Sequence, residues 1–343
     1  MKKFVRPLLM AAALGLSFSL LPAAARAEAP QVRTQAPGFY RLALGAFEVT
    51  ALYDGYTDLG AALLLNAKPA QIQDWLAARF LAGETLQTAV NGYLINTGEK
   101  LVLVDAGAAH GMGDSLGALI ANLEASGYAP EQVDAVLLTH LHGDHANGLL
   151  DAKGKAAFPN ATVYVNQAEA DFWLADNAPE RAAQAGLLPP ALPAEQAKPL
   201  FQGVQANVAP YRAAQRFKTL ADGAQVLPGI RLVAAYGHTP GHSAFLVTSG
   251  QQQLLIAGDI AHSAAVQFAH PEVAFAFDSN APQAVAARKA VFARAAREKL
   301  LVAGMHLPFP GIGHVRAARQ GYEWIPVEYS PIRQHPAGNP ASK

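Results

Sequence analysis

A cluster of three histidines and one aspartate within six residues constrains this chain more than any other feature of its sequence. The cluster occupies 139–145, Thr-His-Leu-His-Gly-Asp-His. It directly follows the apolar run 133–138, which predicts a buried strand. A strand that ends in a tight loop can direct several imidazoles toward one point. The segment therefore predicts a metal site at a strand end.

The spacing within this cluster separates its side chains into two pairs. Side chains two residues apart lie on the same side of an extended chain, so His140 and His142 are expected to share one cation. Gly143 lets the backbone reverse, and Asp144 with His145 can then hold a second cation. A single loop histidine is usually an ordinary polar residue, but four such residues at this spacing are typical of zinc and similar metals.

The first 27 residues have the pattern of an export signal. Basic residues precede the apolar run 8–21, and Ala-Arg-Ala at 25–27 forms a small-residue cleavage site. The sequence thus predicts a cleaved signal peptide over 1–27 and an exported, periplasmic protein. An uncleaved membrane anchor is the alternative. Once the leader is removed, no membrane association is expected.

The remaining residues, 28–343, are predicted to form a single domain. The chain has no cysteine, so its stability must come from an apolar core instead of disulfides. Its 26 basic and 26 acidic residues give a formal net charge of zero. This balance argues against nucleic acid as a partner and leaves a small-molecule substrate.

Alternating strand and helix patterns predict an α/β fold. A hairpin is expected over 38–54, strands over 90–96 and 101–104, and a helix over 114–127. Residues 169–218 are rich in Ala and interrupted by Pro, which predicts a helical insertion. Its aromatic side chains either pack on the body of the domain or form a lid, in which Trp173 would be a wall of the substrate pocket.

Further His and Asp residues follow four other predicted strands. Asp105, His238, Asp259 and His306 each come directly or shortly after an apolar run. In α/β folds this edge of the sheet is where ligands bind. Asp105 either lies near the metals or caps a turn, and the sequence leaves both possibilities open.

These residues can be assigned to two divalent metal ions. The proposed ligands of the first ion are His140, His142 and His238, those of the second are Asp144, His145 and His306, and Asp259 bridges the two. Two metals this close would share a water and convert it to hydroxide near neutral pH. Asp144 and Asp259 are therefore the predicted catalytic carboxylates. Zinc is the first choice, and manganese, cobalt and iron accept the same ligands.

Two histidines near these ligands are predicted to have other roles. His242 faces away from the metals if the turn after His238 is tight, so it is expected to contact a ligand and not the ion. His262, three residues after Asp259, is expected to line the substrate pocket.

Taken together, these residues resemble the metallo-β-lactamase superfamily, whose signature is His-x-His-x-Asp-His with later His, Asp and His ligands. The resemblance implies an αββα sandwich. Within the superfamily the chain looks closest to the methyl parathion hydrolase group. The stretches that carry this likeness are 36–41, 96–105, 169–174, 237–242 and 306–314. It implies an exported, dinuclear homodimer with the ligand set given above.

Several departures from that group bear on the substrate. This chain has Gly143 where the group has Pro, and it has His262 where the group has a small or aliphatic pocket wall. Phe275 and Phe277 follow. These changes favour cleavage of a lactone or aryl ester. Hydrolysis of an organophosphate triester is the alternative, and a noncatalytic metal-binding protein is a remote one.

Overall fold

Two seven-stranded sheets form the centre of the structure, a computed structural model that describes residues 29–81, 83–189 and 194–332. The leader predicted over 1–27 lies outside the described residues. The chain divides into two units, 1–36 and Pro37–Lys343. In the first unit, residues 29–36 contain no helix or strand.

The first sheet has the order β1-β2-β4-β5-β6-β7-β8. Its strands are β1 (Phe39–Leu44), β2 (Phe47–Gly60), β4 (Thr85–Asn96), β5 (Leu101–Val104), β6 (Ala135–Leu137), β7 (Thr162–Asn166) and β8 (Phe217–Leu220). From β5 to β8 the strands run parallel. The predicted hairpin is confirmed, because β1 pairs antiparallel with β2.

The second sheet has the order β16-β15-β14-β12-β11-β10-β9. Its strands are β9 (Gln225–Leu227), β10 (Ile230–Ala234), β11 (Ser243–Ser249), β12 (Gln252–Ile256), β14 (Leu301–Ala303), β15 (Ile312–Ala317) and β16 (Tyr322–Pro326). Two short strands, β3 (Leu64–Leu65) and β13 (Ala274–Phe275), pair separately.

Seven α-helices accompany these sheets in the described part of the chain. They are α1 (Pro69–Ala77), α2 (Leu119–Ala125), α3 (Gly143–Ala146), α4 (Gln167–Trp173), α5 (Ala178–Gln184), α6 (Ala194–Ala213) and α7 (Ala281–Glu298). Three of them, α4 to α6, lie between β7 and β8 in the predicted insertion. None of the described helices is long and apolar enough to span a bilayer.

Alternating side chains of the buried strands face two different cores, as β5 illustrates. Val102 and Val104 join the core between the two sheets. Leu101 and Leu103 point the other way and join the core beneath α2 and α4 to α6. Strands buried on both faces have continuous apolar sequence, as in 101–104. A third core lies between the second sheet and α7, so the layers are helix, sheet, sheet, helix, and the predicted αββα sandwich is confirmed.

The predicted helix over 114–127 is shorter in the structure and begins only at Leu119. Residues before it form a loop held by the buried carboxylate of Asp54. That carboxylate accepts hydrogen bonds from the backbone N–H groups of Ala108, Gly117 and Leu119 at 2.9, 3.2 and 3.0 Å. Hydrogen bonds to Asp54 of β2 thus replace the first turns of the predicted helix.

Candidate metal centre

Four loops bring His and Asp side chains to one edge of the sandwich. The first follows β6 and carries 139–145, and the second follows β10 and carries His238. The other two follow β12 and β14 and carry Asp259 and His306. Both sheets therefore contribute to the same site.

The first predicted group of metal ligands is tightly clustered. His142 Nδ1 lies 3.0 Å from His140 Nε2 and 3.0 Å from His238 Nε2. Asp259 Oδ2 lies 3.1 Å from His238 Nε2 and 3.6 Å from His140 Nε2. These four donor atoms surround a single point.

The second predicted group is equally close. Asp144 Oδ2 lies 3.4 Å from His145 Nε2 and 3.3 Å from His306 Nε2. Asp259 reaches this group as well, since its Oδ1 lies 3.2 Å from His145 Nε2 and its Oδ2 lies 3.1 Å from His306 Nε2. The carboxylate of Asp259 is thus placed between the two groups.

The donor atoms fit two divalent cations. Tetrahedral zinc with bonds of about 2.1 Å places its ligand atoms about 3.4 Å apart, close to the separations found here. His145 Nε2 and Asp259 Oδ1 are also buried without a hydrogen-bond partner. Buried polar atoms are normally satisfied, and a metal ion would satisfy both.

Three of the histidines are oriented by an acceptor on their other ring nitrogen. His145 Nδ1 lies 2.7 Å from Asp105 Oδ2, His238 Nδ1 lies 2.9 Å from Asp278 Oδ1, and His306 Nδ1 lies 2.9 Å from the carbonyl of Ala89. Such contacts fix the tautomer and leave Nε2 free to bind a metal. This arrangement is typical of metal-ligating histidines.

Asp105, for which the sequence allows two roles, contacts both a histidine and the metal-bearing loop. It also accepts hydrogen bonds from the backbone N–H and the hydroxyl of Thr139 at 2.8 and 2.7 Å. The structure places it behind His145 and not among the donor groups.

His242 likewise contacts the site from behind. Its Nδ1 lies 2.9 Å from the carbonyl of Ala235, and its Nε2 accepts a hydrogen bond of 2.9 Å from the backbone N–H of Asp259. Both ring nitrogens are therefore occupied by protein groups. His242 holds the backbone that carries Asp259.

Burial and the carboxylates of Asp144, Asp259 and Asp278 shift the pKa values of two candidate histidine ligands. Burial alone lowers the pKa of His238, but Asp259 and Asp278 raise it to about 9. His306 is also buried, and Asp259 with Asp144 raises its pKa to about 10. Burial opposes ionisation of Asp259, yet the charges of His145 and His306 hold the pKa of its carboxyl well below the usual value. The site attracts positive charge.

A cavity of about 180 Å³ opens directly in front of the donor atoms. Its walls beyond the candidate ligands are mostly apolar and are formed by Thr57, Leu59, Met112, Pro189, Leu200, His262, Phe275 and Phe277. The structure thus places all three of the predicted pocket residues that follow Asp259 along this cavity.

His262 is packed between an aromatic ring and a candidate ligand. Its ring stacks on Phe275, with centroids 3.9 Å apart and planes at 16°, and on His306 at 4.9 Å. His262 Nε2 lies 3.1 Å from Asp259 Oδ2. With Asp259 and His306 it forms a further group of close donor atoms.

The position of Trp173 corrects the prediction that it forms a wall of the pocket. Its side chain is 1% exposed and packs against Phe201 in the core beneath the first sheet. The ring meets His142 edge to face from behind, at 5.6 Å. A large apolar ring gains most from complete burial. The indole N–H of Trp173 donates a hydrogen bond of 2.7 Å to Glu169.

Several residues of the site carry no local signal in the sequence. Asp278 and Glu169 contact the metal-bearing loops only because the fold brings together residues that are 28 to 70 positions apart in sequence. Met112 and Leu200 reach the cavity from a loop and from the helical insertion. A single sequence offers no pattern that would single them out.

An αββα sandwich with two adjoining groups of His and Asp donors at one edge defines a dinuclear metal-dependent hydrolase. The chain belongs to the metallo-beta-lactamase superfamily, whose sequence profile matches residues 86–306.

Solved structures of similar proteins support this assignment. The chain is 39% identical to hydrolase AbOPH of the beta lactamase superfamily, with a TM-score of 0.81, over 87% of this chain and 100% of that one. It is 28% identical to AidC, described as a dizinc quorum-quenching lactonase in complex with a product, with a TM-score of 0.77, over 86% and 99% of the two chains.

A more distant relative is known from sequence. An N-acyl homoserine lactonase from Bacillus sp is 26% identical over 184 residues, which are 48% of this chain. The match spans 60% of that relative's length.

Proposed function

We propose that this protein hydrolyses a lactone or an aryl ester. The observation that carries this proposal is the cavity in front of the donor atoms, whose walls beyond the metal-binding residues are almost entirely apolar. An apolar pocket with a few convergent polar groups suits a small, largely hydrophobic substrate. The ester carbonyl would lie against the metal centre and the acyl or aryl part against Leu59, Leu200 and Phe277.

The similar proteins support the same reaction class. AidC is a lactonase whose structure holds an acyl-homoserine product, and the Bacillus relative is an N-acyl homoserine lactonase. Both act on a cyclic ester. The two ions are proposed to be zinc, as in dizinc AidC.

The residues of this chain have distinct roles in the proposed reaction. Two bound divalent ions would supply Lewis acidity toward the carbonyl and a nucleophile derived from water at neutral pH. Asp144, with 18% of its side chain exposed, would accept a proton from the attacking water. An aryl-oxide leaving group needs little protonation, so hydrolysis of an aryl ester or aryl lactone requires no separate general acid.

An organophosphate triester is the second candidate substrate. The long stretches that resemble the methyl parathion hydrolase group favour it, since a similar donor set can direct water to phosphorus. The stack of His262 on Phe275 argues against it as the main activity. Two flat rings narrow the cavity beside Asp259, where a tetrahedral phosphorus centre needs more room than a planar ester.

Export and self-association complete the proposed function. We propose that the leader over 1–27 is cleaved and that the mature protein is a periplasmic homodimer. Mass spectrometry of protein recovered from the periplasm would identify the new N-terminus. Light scattering of the same sample would give the oligomeric state.

Initial rates on three substrates test the proposed reaction. The zinc-loaded protein is assayed with dihydrocoumarin, an acyl-homoserine lactone and a nitrophenyl phosphotriester, and its metal content is measured on the same sample. We expect one of the two lactones to have the highest kcat/KM by tenfold or more, which is about 1.4 kcal/mol of transition-state preference. A phosphotriester that is preferred by the same margin would overturn the proposal.

A further inference from the structure

Glu169 is a buried glutamate that lies between two of the metal-bearing loops. It belongs to α4, and its side chain is completely buried. One oxygen, Oε1, accepts hydrogen bonds from the backbone N–H of Leu141 at 2.9 Å and the indole N–H of Trp173 at 2.7 Å. The other, Oε2, accepts from the hydroxyl of Thr239 at 2.6 Å and the backbone N–H of Gly241 at 3.0 Å. Each carboxylate oxygen therefore has two donors.

These four donors come from opposite halves of the sandwich. Leu141 lies between His140 and His142 in the loop that follows the first sheet's β6. Thr239 and Gly241 follow His238 in the loop after β10 of the second sheet. One carboxylate thus joins the two loops whose histidines form the first donor group.

A second contact joins the same two loops. The backbone N–H of Ser243 donates to the carbonyl of Thr139 at 2.9 Å. Glu169 accepts hydrogen bonds from Leu141 and Thr239. These two residues directly follow His140 and His238 in the sequence. The two contacts together fix both the distance and the angle between the loops.

The loop after β10 packs closely against Glu169. A Cβ atom added at Gly241 would lie 2.0 Å from the backbone nitrogen of Glu169. Helix α4 and the loop after β10 are therefore in direct backbone contact. Glycine at 241 permits the approach that the hydrogen bond from its N–H requires.

A carboxylate is a costly group to place here for packing alone. Within the described part of the chain, no cationic side chain forms an ion pair with Glu169. Burial raises the pKa of its carboxyl, while the hydrogen bonds from Thr239, Leu141, Trp173 and Gly241 act in the opposite direction. An apolar side chain of the same size would pack without this desolvation cost. It could not accept hydrogen bonds from both loops.

We propose that Glu169 is a positioning residue that sets the separation of His140 and His142 from His238 and thereby the affinity of the first metal site. Through Trp173, whose ring lies behind His142, the same carboxylate also fixes the orientation of that imidazole. The four hydrogen bonds of Glu169 involve none of Asp144, His145 and His306, so its effect is specific to one of the two sites. The proposal rests on the metal-dependent site and does not depend on which ester is cleaved.

Substitution Glu169→Gln tests this role with almost no change of shape. A glutamine amide offers one acceptor oxygen and one NH2 group. Whichever way the amide turns, its NH2 group faces a backbone N–H, either that of Leu141 or that of Gly241. Glu169→Gln therefore removes the backbone hydrogen bond to one of the two loops and keeps the packing of α4.

The measurement is zinc affinity at each site, obtained by competition with a chelator and without substrate. His306→Ala, which removes a ligand of the other site, identifies which binding step belongs to which ion. We expect Glu169→Gln to weaken the first site by about tenfold to 100-fold, the range for residues that orient metal ligands, and to change the absorption spectrum of cobalt bound there. The second site should change by less than about threefold.

Asp171→Asn is the matched control, because it removes one negative charge from an exposed position of the same helix. It should leave both affinities unchanged. Equal weakening of both sites by Glu169→Gln, or a lower melting temperature with unchanged zinc affinity, would show a purely structural role and overturn the proposal.

Thr239→Val provides an independent test should Glu169→Gln fail to fold. It removes one donor to Oε2 and preserves the side-chain shape. We expect a several-fold loss of affinity confined to the first site. Unchanged zinc affinity in a folded Thr239→Val protein would contradict the proposal.

Discussion

His238 and Asp278 form a buried pair, with Nδ1 of the imidazole 2.9 Å from Oδ1 of the carboxylate. Asp278 also accepts a hydrogen bond of 2.9 Å from the backbone N–H of Phe275. It therefore links a candidate metal ligand to the strand that carries a wall of the cavity. A carboxylate in this position makes the imidazole a stronger ligand and fixes its tautomer.

Replacing Asp278 by Asn should lower zinc affinity by about tenfold to 100-fold, since contacts of this kind have that effect in other metal sites. The loss should come from the site that contains His238. Chelator competition measures it, and Asp74→Asn, at an exposed position of α1, is the control. Wild-type affinity in Asp278→Asn would mean that the pair does not support metal binding.

Asp259→Ala should abolish the shared metal centre. Its two oxygens reach both donor groups, at 3.1 Å from His238 Nε2 and 3.2 Å from His145 Nε2. We expect activity to fall by more than about 100-fold, beyond the effect of residues that only orient ligands, together with loss of bound metal by elemental analysis. Turnover that survives with both metals absent would rule out the dinuclear mechanism.

Zinc binding should release protons at pH 7. In the metal-free protein the pKa of His238 is about 9 and that of His306 is about 10, so both imidazoles carry a proton that a metal must displace. Zinc affinity should therefore rise with pH until both groups are neutral. Calorimetry in buffers of different ionisation enthalpy counts the protons, and a count near zero would contradict this prediction.

The same two groups predict how the stability of the metal-free protein depends on pH. Their pKa values in the folded state lie above the ordinary histidine value of 6.5. Their contribution to stability is therefore complete below about pH 6.5 and is lost as the pH rises through 9 to 10. Melting temperatures of the metal-free protein should fall over this interval, whereas the zinc-loaded protein should not show this fall.

Phe277→Ala should change substrate preference more than stability. The side chain is half-buried and borders the cavity, so its removal widens the space for a bulky leaving group. We expect the ratio of kcat/KM for a phosphotriester to that for a lactone to increase by about tenfold, the scale of a small change in pocket volume. Steady-state kinetics with both substrates measure the ratio. An unchanged ratio would mean that the leaving group does not lie beside Phe277.

Asp54→Asn should destabilise the loop that precedes α2. The carboxylate accepts three backbone hydrogen bonds there, and each bond to a charged group contributes about 1.5–3 kcal/mol. An amide keeps part of this network, so we expect a loss of about 2 kcal/mol in the free energy of unfolding, measured with urea. Asp58→Asn, further along β2, is the control. A loss below about 0.5 kcal/mol, the size typical of surface substitutions, would contradict the prediction.

The sequence predicts those parts of the site that lie within a few residues of each other. Residues 139–145 carry their spacing in the chain itself, and the apolar strands before them are short and continuous. Asp278, Glu169 and Asp54 act across 28 to 70 residues, and the loop held by Asp54 overrides a helical pattern. Trp173 shows the same limit, because an aromatic residue in an insertion can face either the cavity or the core, and only the packing decides.

The donor groups are drawn from both sheets, and this has a consequence for how the chain folds. Residues 140–145 follow a strand of the first sheet, whereas His238, Asp259 and His306 follow strands of the second. A bound ion would therefore tie residues roughly 100 to 160 positions apart, as a disulfide does in proteins that contain cysteine, and this chain has none. Such a cross-link forms only after the two halves have docked, and its strength depends on the free concentration of metal. Zinc uptake is thus a direct signal that the sandwich has closed.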